Sequence, residues 1–210
     1  MLVTAVVLLT ACSSNTPTST AEGKQPAPAA QKMNEPGIDL NCVATRLQNP
    51  PDAFHYSFKN NGNPEFVDDE ADVTPQNIDG YFTTNTNDVT KPPINSKVHA
   101  VRSDADGWGM AAGSLGGIMA LAGVGDFISE SAVRETTEEV NGYDTTRYSV
   151  DTTRGDADRV AVMLGSGGFI KGTVWVTSDG CPVKMTLDQE SHHRDGSVAK
   201  NHFEEAIVKK

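Results

Sequence analysis

No Gly-x-Ser-x-Gly elbow, no His-Glu-x-x-His pair and no phosphate-loop lysine in its glycine-rich stretch occur in this 210-residue chain. Each absence removes a chemistry: the exposed serine nucleophile, the zinc hydrolase and the nucleotide cradle. Positive charge is also scarce. Lys and Arg number 17 against 28 Asp and Glu, for a formal net charge of -11. Such a surface neither replaces the counterions of a nucleic acid nor docks on anionic headgroups. No nucleic-acid partner, no cofactor and no enzymatic activity are therefore expected. The one markedly apolar run at the N-terminus falls short of the roughly 20 residues that span a bilayer.

The candidate metal ligands are few. His192-His193 with His202 would need neighbouring strand residues to converge on one ion, yet successive side chains point to opposite faces. Solvated strand-end histidines are the expectation. Asp68-Asp69-Glu70-Asp72 lacks the glycine spacing of a calcium-binding helix-loop-helix and is expected to be a solvated strand face. Glu138-Glu139 reads as ordinary strand charge, and no metal site is expected.

What the chain does have begins at its start. Met1 to Ala11 is uncharged and mostly apolar, the length of a signal-peptide apolar core, and ends in small residues before Cys12. Leu9-Thr10-Ala11-Cys12 resembles the bacterial lipobox, in which the cysteine thiol takes the lipid and becomes the mature N-terminus. No Lys or Arg precedes the run, a departure from the usual positively charged start. The resemblance implies a signal peptide over residues 1–11 and a membrane anchor at Cys12. Residues 12–36 are rich in Ser, Thr, Pro, Ala, Asn and Gln. They cannot bury enough surface to offset ordering and read as a disordered tether reaching on the order of 25–30 Å. Residues 37–210 then form one domain. Its cysteines are Cys42 and Cys181. An exported compartment permits a disulfide between them; two separate buried thiols is the other reading.

Leu40, Val43, Ala44 and Leu47 share a helical face within 39–48, and Asn49-Pro50-Pro51 ends it. Phe54, Tyr56 and Phe58 alternate with polar residues as in a half-buried strand, and Asn61-Gly62 offers a hairpin turn. Strands follow over 65–73 and 78–84, with a short edge strand at 98–102. Asn141-Gly142 between 132–140 and 143–151 is the strongest hairpin signal. Residues 156–164 read as a short helix or crossover. Strands at 169–177, 181–190 and 198–208 close the chain, with Val183, Met185 and Leu187 on one face. The fold class is α+β: a strongly curved antiparallel sheet of about seven or eight strands or more, in meander order, covered by helices because one face must be buried.

Two hairpins carry a family resemblance. One is Val140-Asn141-Gly142-Tyr143-Asp144-Thr145-Thr146-Arg147-Tyr148; the other runs from Gly172-Thr173-Val174-Trp175-Val176 through Gly180 to Pro182-Val183-Lys184-Met185-Thr186-Leu187. They resemble the LolA/LolB-type and LppX/LprG-type periplasmic lipoproteins. That resemblance covers the C-terminal half in motif and the N-terminal half by strand pattern. It implies an open half-barrel with helices on its concave face that binds a lipid or a lipoprotein acyl chain in the cell envelope.

Residues 106–126 have no counterpart in those motifs. No charged residue lies between Gly107 and Gly125, and seven glycines do, at 107, 109, 113, 116, 117, 123 and 125. Each interior glycine costs a helix about 0.8–1 kcal/mol relative to alanine. A segment both apolar and weakly helical is held by packing and is free to move. In one reading it lids a hydrophobic cavity lined by Trp108, Met110, Leu115, Ile118, Met119 and Leu121, with Phe127 and Trp175 beside them. In the other it is a core helix packed through its glycines. Two functions stay open: a lipid carrier or acceptor, and a structural or sensing lipoprotein that binds an envelope protein partner with the same fold.

Overall fold

The computed structural model describes residues 37–62, 66–84, 94–115 and 124–210. Cys12, the tether and the insert residues Ile118, Met119 and Leu121 lie outside the described residues. Helix α1 (Asn41–Gln48) precedes strands β1 (Phe54–Asn61), β2 (Phe66–Val73), β3 (Asn77–Thr84) and β4 (Ile94–Val101). Helices α2 (Ala105–Ser114) and α3 (Gly125–Ser131) follow, then β5 (Ala132–Val140) and β6 (Tyr143–Asp151). A 3-10 turn (Thr152–Arg154) and α4 (Ala157–Leu164) lead into β7 (Phe169–Val176), β8 (Pro182–His192) and β9 (Val198–Lys209).

The nine strands among the described residues form one open antiparallel sheet in the order β4-β3-β2-β1-β9-β8-β7-β6-β5. The single meander expected from the sequence is thus corrected. There are two meanders, β1 to β4 and β5 to β9, joined where β1 pairs with β9 from Phe54↔Lys209 to Asn60↔Phe203. Local turn signals report only on neighbours in sequence, so this long-range pairing left no trace in them. It puts the aromatic strand β1 near the sheet centre. The edge position of β4 agrees with expectation.

Side-chain alternation fixes the register. Phe54, Tyr56 and Phe58 of β1 are buried, as are Phe203 and Ile207 of β9, Val183, Met185 and Leu187 of β8, and Ile170, Val174 and Val176 of β7. A slip of one residue would turn every one of them to solvent. These side chains form a single cluster with Leu40, Val43 and Leu47 around α1, Trp108 and Leu115 at α2, and Ile128 of α3. Asn141 (φ 57°) and Gly142 (φ 81°) make the tight β5–β6 turn with positive φ at both central residues. Asn61-Gly62 is not such a turn: Asn61 pairs with Phe66, which leaves four residues between them. Asp104 caps α2 by accepting from the Gly107 amide at 3.0 Å, and Asp156 caps α4 by accepting from the Asp158 and Arg159 amides. Both satisfy amides that have no partner inside the helix.

Candidate functional site

Among the described residues the buried sheet face is mostly apolar; its buried polar side chains include Asn60 and two acids. Phe58 pairs with Asp69 on one side and with Glu205 on the other, so both carboxyls lie on the buried face, two strands apart. That is roughly 10 Å between backbones at the usual strand spacing. Asp69 and Glu205 are each 3% exposed. Asp69 accepts from the Thr83 amide at 2.8 Å. Burial nevertheless raises its pKa to about 6, against the pull of that hydrogen bond. Both carboxyl oxygens of Glu205 are buried without a hydrogen-bond partner. Burial raises its pKa to about 8, so at neutral pH it is mainly the uncharged acid. No lysine, arginine or histidine is buried among the described residues. A buried polar group without a partner costs about 1–3 kcal/mol, and proteins retain few of them.

The Asp69 position corrects the expectation of a wholly solvated acidic face. Only part of that cluster faces solvent: Glu70 accepts from the Tyr81 hydroxyl, and Asp72 takes His55 at 2.8 Å and Lys210 at 2.6 Å. A signal was present in both strands, since Asp69-x-Ala71-x-Val73 and Phe203-x-Glu205-x-Ile207 place each acid in phase with apolar neighbours.

Helix α1 is the fixed part of the cover. Cys42 and Cys181 are bonded, with 5.3 Å between their Cα atoms, and tie α1 to the β7–β8 turn. The Asp39 amide donates to the Gly180 carbonyl at 2.9 Å, and Arg46 reaches Asp179 at 3.4 Å. Helix α2 hangs from α1 by a clasp. The Trp108 indole donates to the Gln48 carbonyl at 2.9 Å. Arg102 donates to the same carbonyl and to Asn49 Oδ1, and its guanidinium lies 4.9 Å from the Trp108 ring centroid.

Trp108, Ala111, Ala112 and Leu115 turn one face of α2 into the core, and Gly109 and Gly113 lie on its exposed face. A Cβ placed on Gly109 or on Gly113 would meet nothing within 4 Å. The reading in which these two glycines serve close packing is therefore overturned. They weaken a ten-residue helix, already short of independent stability, without a packing return. Gly109→Ala and Gly113→Ala should each raise stability by about 0.5–1 kcal/mol, read as an increase in Tm. A fall in Tm would show that the glycines make contacts this structure lacks.

The expected lining residues separate into three groups. Trp108 and Leu115 are buried in the common cluster, and Phe127 packs at its margin under the Arg159 guanidinium. Met110 is 69% exposed and lines nothing. Its place two residues from Trp108 turns it about 200° around the helix. Trp175 stands between buried Val174 and Val176 and so occupies the opposite sheet face. There its indole donates to Glu138 at 2.8 Å, beneath Arg147 and Lys184. Two of the three candidate histidines belong to carboxylate pairs, His192 with Glu190 at 2.8 Å and His202 with Asp188 at 2.7 Å, and His193 lines the cleft beside α4.

A concavity lies outside the core. A cleft of about 870 Å³ runs between α4 with the residues after it and the β8–β9 turn. Val162, 84% exposed, Met163 and Val198 give it apolar walls, and His193 and Arg194 stand at its rim.

The fold and the buried face define an open antiparallel sheet with a helical cover. No family model matches the chain, and no curated protein matches it. Among solved structures it is similar to the lipoprotein LppX of Mycobacterium tuberculosis, with 18% identity, a TM-score of 0.35 and coverage of 80% of this chain and 91% of that one. It is also similar to MucB in its complex with MucA(peri), with 14% identity, a TM-score of 0.33 and coverage of 82% of this chain. The match spans about half, 55%, of the MucB chain. Both likenesses are distant. Among the described residues no helix is long and apolar enough to cross a membrane.

Proposed function

We propose that this chain is a cell-envelope lipoprotein that takes a hydrophobic ligand, a lipid or an acyl chain, onto the buried face of its sheet as a carrier or acceptor. In this reading residues 1–11 are a signal peptide, Cys12 carries the anchor, 12–36 are the tether, and 37–210 form an extracytoplasmic half-barrel that binds rather than catalyses. The observation that carries it is the cover. An apolar sheet face is closed in part by α2, which has two glycines in open space and is clasped at Trp108. A ligand that replaces the contacts of α2 with its own apolar surface offsets the cost of moving it, at roughly 25 cal/mol per Å² buried.

Native mass spectrometry of the full chain, extracted in mild detergent, tests this. A co-purified species of lipid mass is expected, at one or two copies per chain. A bare protein that also takes up no lipid from mixed micelles would refute it.

The exposed apolar wall of the α4 cleft favours a second reading, in which the protein binds an envelope protein partner through that surface. Val162→Asp would abolish such an interaction and leave lipid uptake unchanged.

A further inference from the structure

Three features stand apart from the cover: the acids of the sheet face, the α4 cleft and the outward row of histidine–carboxylate pairs. The histidine pairs are mutually satisfied, and nothing in the structure shows what fills the cleft. Glu205 is different: a carboxyl with both oxygens buried, neither hydrogen-bonded, set among apolar neighbours on the face assigned to the ligand. Phe58 and Met185 are its cross-strand partners. Asp69, beyond Phe58, is the other buried acid among the described residues. Across β1, β2, β8 and β9 no buried cation answers either of them.

We propose that Glu205 is the polar end of the ligand site, and that it selects an amphiphile whose head group donates a hydrogen bond and carries no negative charge. This rests on the reading of the sheet face as a lipid site and names the head-group class that site accepts. An uncharged carboxyl has one donor and acceptor oxygen to offer. The raised pKa of Glu205 keeps it in that form at neutral pH. A hydroxyl satisfies both capacities, and an amine satisfies the acceptors and pairs with the ionised form. A carboxylate or phosphate would bring a charge beside two acids with no base to balance it, which low-dielectric surroundings penalise steeply. The site thus accepts the apolar tail of many molecules and discriminates at the buried end.

The test uses three probes that share one tail: dodecanol, dodecylamine and dodecanoate. Each is titrated at pH 7 into the full chain in mild detergent and read by native mass spectrometry. The alcohol and the amine should bind about 10-fold or more tightly than the carboxylate, the effect of one good hydrogen bond. Glu205→Leu should retain tail binding but lose the head-group contact: the alcohol and the amine should each bind about 10-fold more weakly, while dodecanoate changes by less than about 3-fold. Glu205→Gln, which keeps a donor and an acceptor, should retain the preference for the alcohol. Equal binding of all three probes by the unmodified chain, or alcohol and amine affinities unchanged in Glu205→Leu, overturns the head-group assignment and leaves the lipid site standing. Failure of every probe to bind overturns both.

Discussion

Raising the pH from 5 to 8 should destabilise this protein, and Glu205→Gln should remove most of the effect above pH 6. The sign follows from proton counting. The Glu205 carboxyl has an ordinary value of 4.5 and is raised to about 8 by burial. Between those values the folded chain holds a proton that the unfolded chain has released. Stability therefore falls with pH, by about 1.4 kcal/mol per unit, and by roughly 4–5 kcal/mol over the whole window. Asp69, raised from 3.8 to about 6, adds a loss of the same sign at the acid end. His202 is held up by Asp188. It contributes stability below its unfolded value that is lost as pH rises through the folded one. The carboxylates lowered by their partners, among them Asp72 and Asp151, act in the opposite direction, near and below pH 4.

The variant isolates the Glu205 share. Gln has the same shape and no titration, so its own desolvation cost is the same at every pH. Urea midpoints at pH 5, 6, 7 and 8 read the result. Parallel slopes for the two proteins between pH 6 and 8 would mean that Glu205 is solvated in solution. Bound ligand shifts the outcome in a useful way. A head group that hydrogen-bonds Glu205 should flatten the slope of the unmodified chain, because it supplies the partner the carboxyl lacks.

Reduction of the Cys42–Cys181 disulfide should cost about as much. The bridge joins residues 139 apart in sequence. On the chain-entropy model, opening a loop of that length releases about 5 kcal/mol of unfolded-state entropy. That is a large part of the roughly 5–15 kcal/mol that holds a typical domain together. For a domain of this size Tm should drop by about 10–20 °C in a Cys42→Ala/Cys181→Ala double variant. The native circular dichroism spectrum should survive at low temperature, because the Asp39–Gly180 and Arg46–Asp179 contacts still hold α1 in place. A Tm within about 3 °C of the unmodified protein would contradict the entropic account. The same bridge steadies the α1 platform from which α2 is clasped. Loosening of the cover on reduction would appear as faster hydrogen exchange in α2 than in the strands.

Much of this was legible in the chain. The alternation of Phe54, Tyr56 and Phe58, and of Val183, Met185 and Leu187, named the buried face, because strand side chains repeat every two residues. Asn141-Gly142 located a tight turn, because only such residues accept positive φ there readily. The two cysteines of the domain form a disulfide. Net charge set the kind of surface. These are local properties, fixed by a residue and its near neighbours.

Only the tertiary structure decided the rest. It placed β9 against β1, a pairing between residues some 150 positions apart that no turn signal encodes. That pairing brings Glu205 beside Phe58 and sets two acids on one apolar face. It turned Trp175 outward and Met110 into solvent, though both read as cavity residues by type alone. It showed Gly109 and Gly113 in open space, where composition allowed either a tight helix contact or a loose cover. Hydrophobic character is carried by the residue. Which side of a sheet that residue meets, and what stands opposite it, depends on contacts between segments that the sequence keeps far apart.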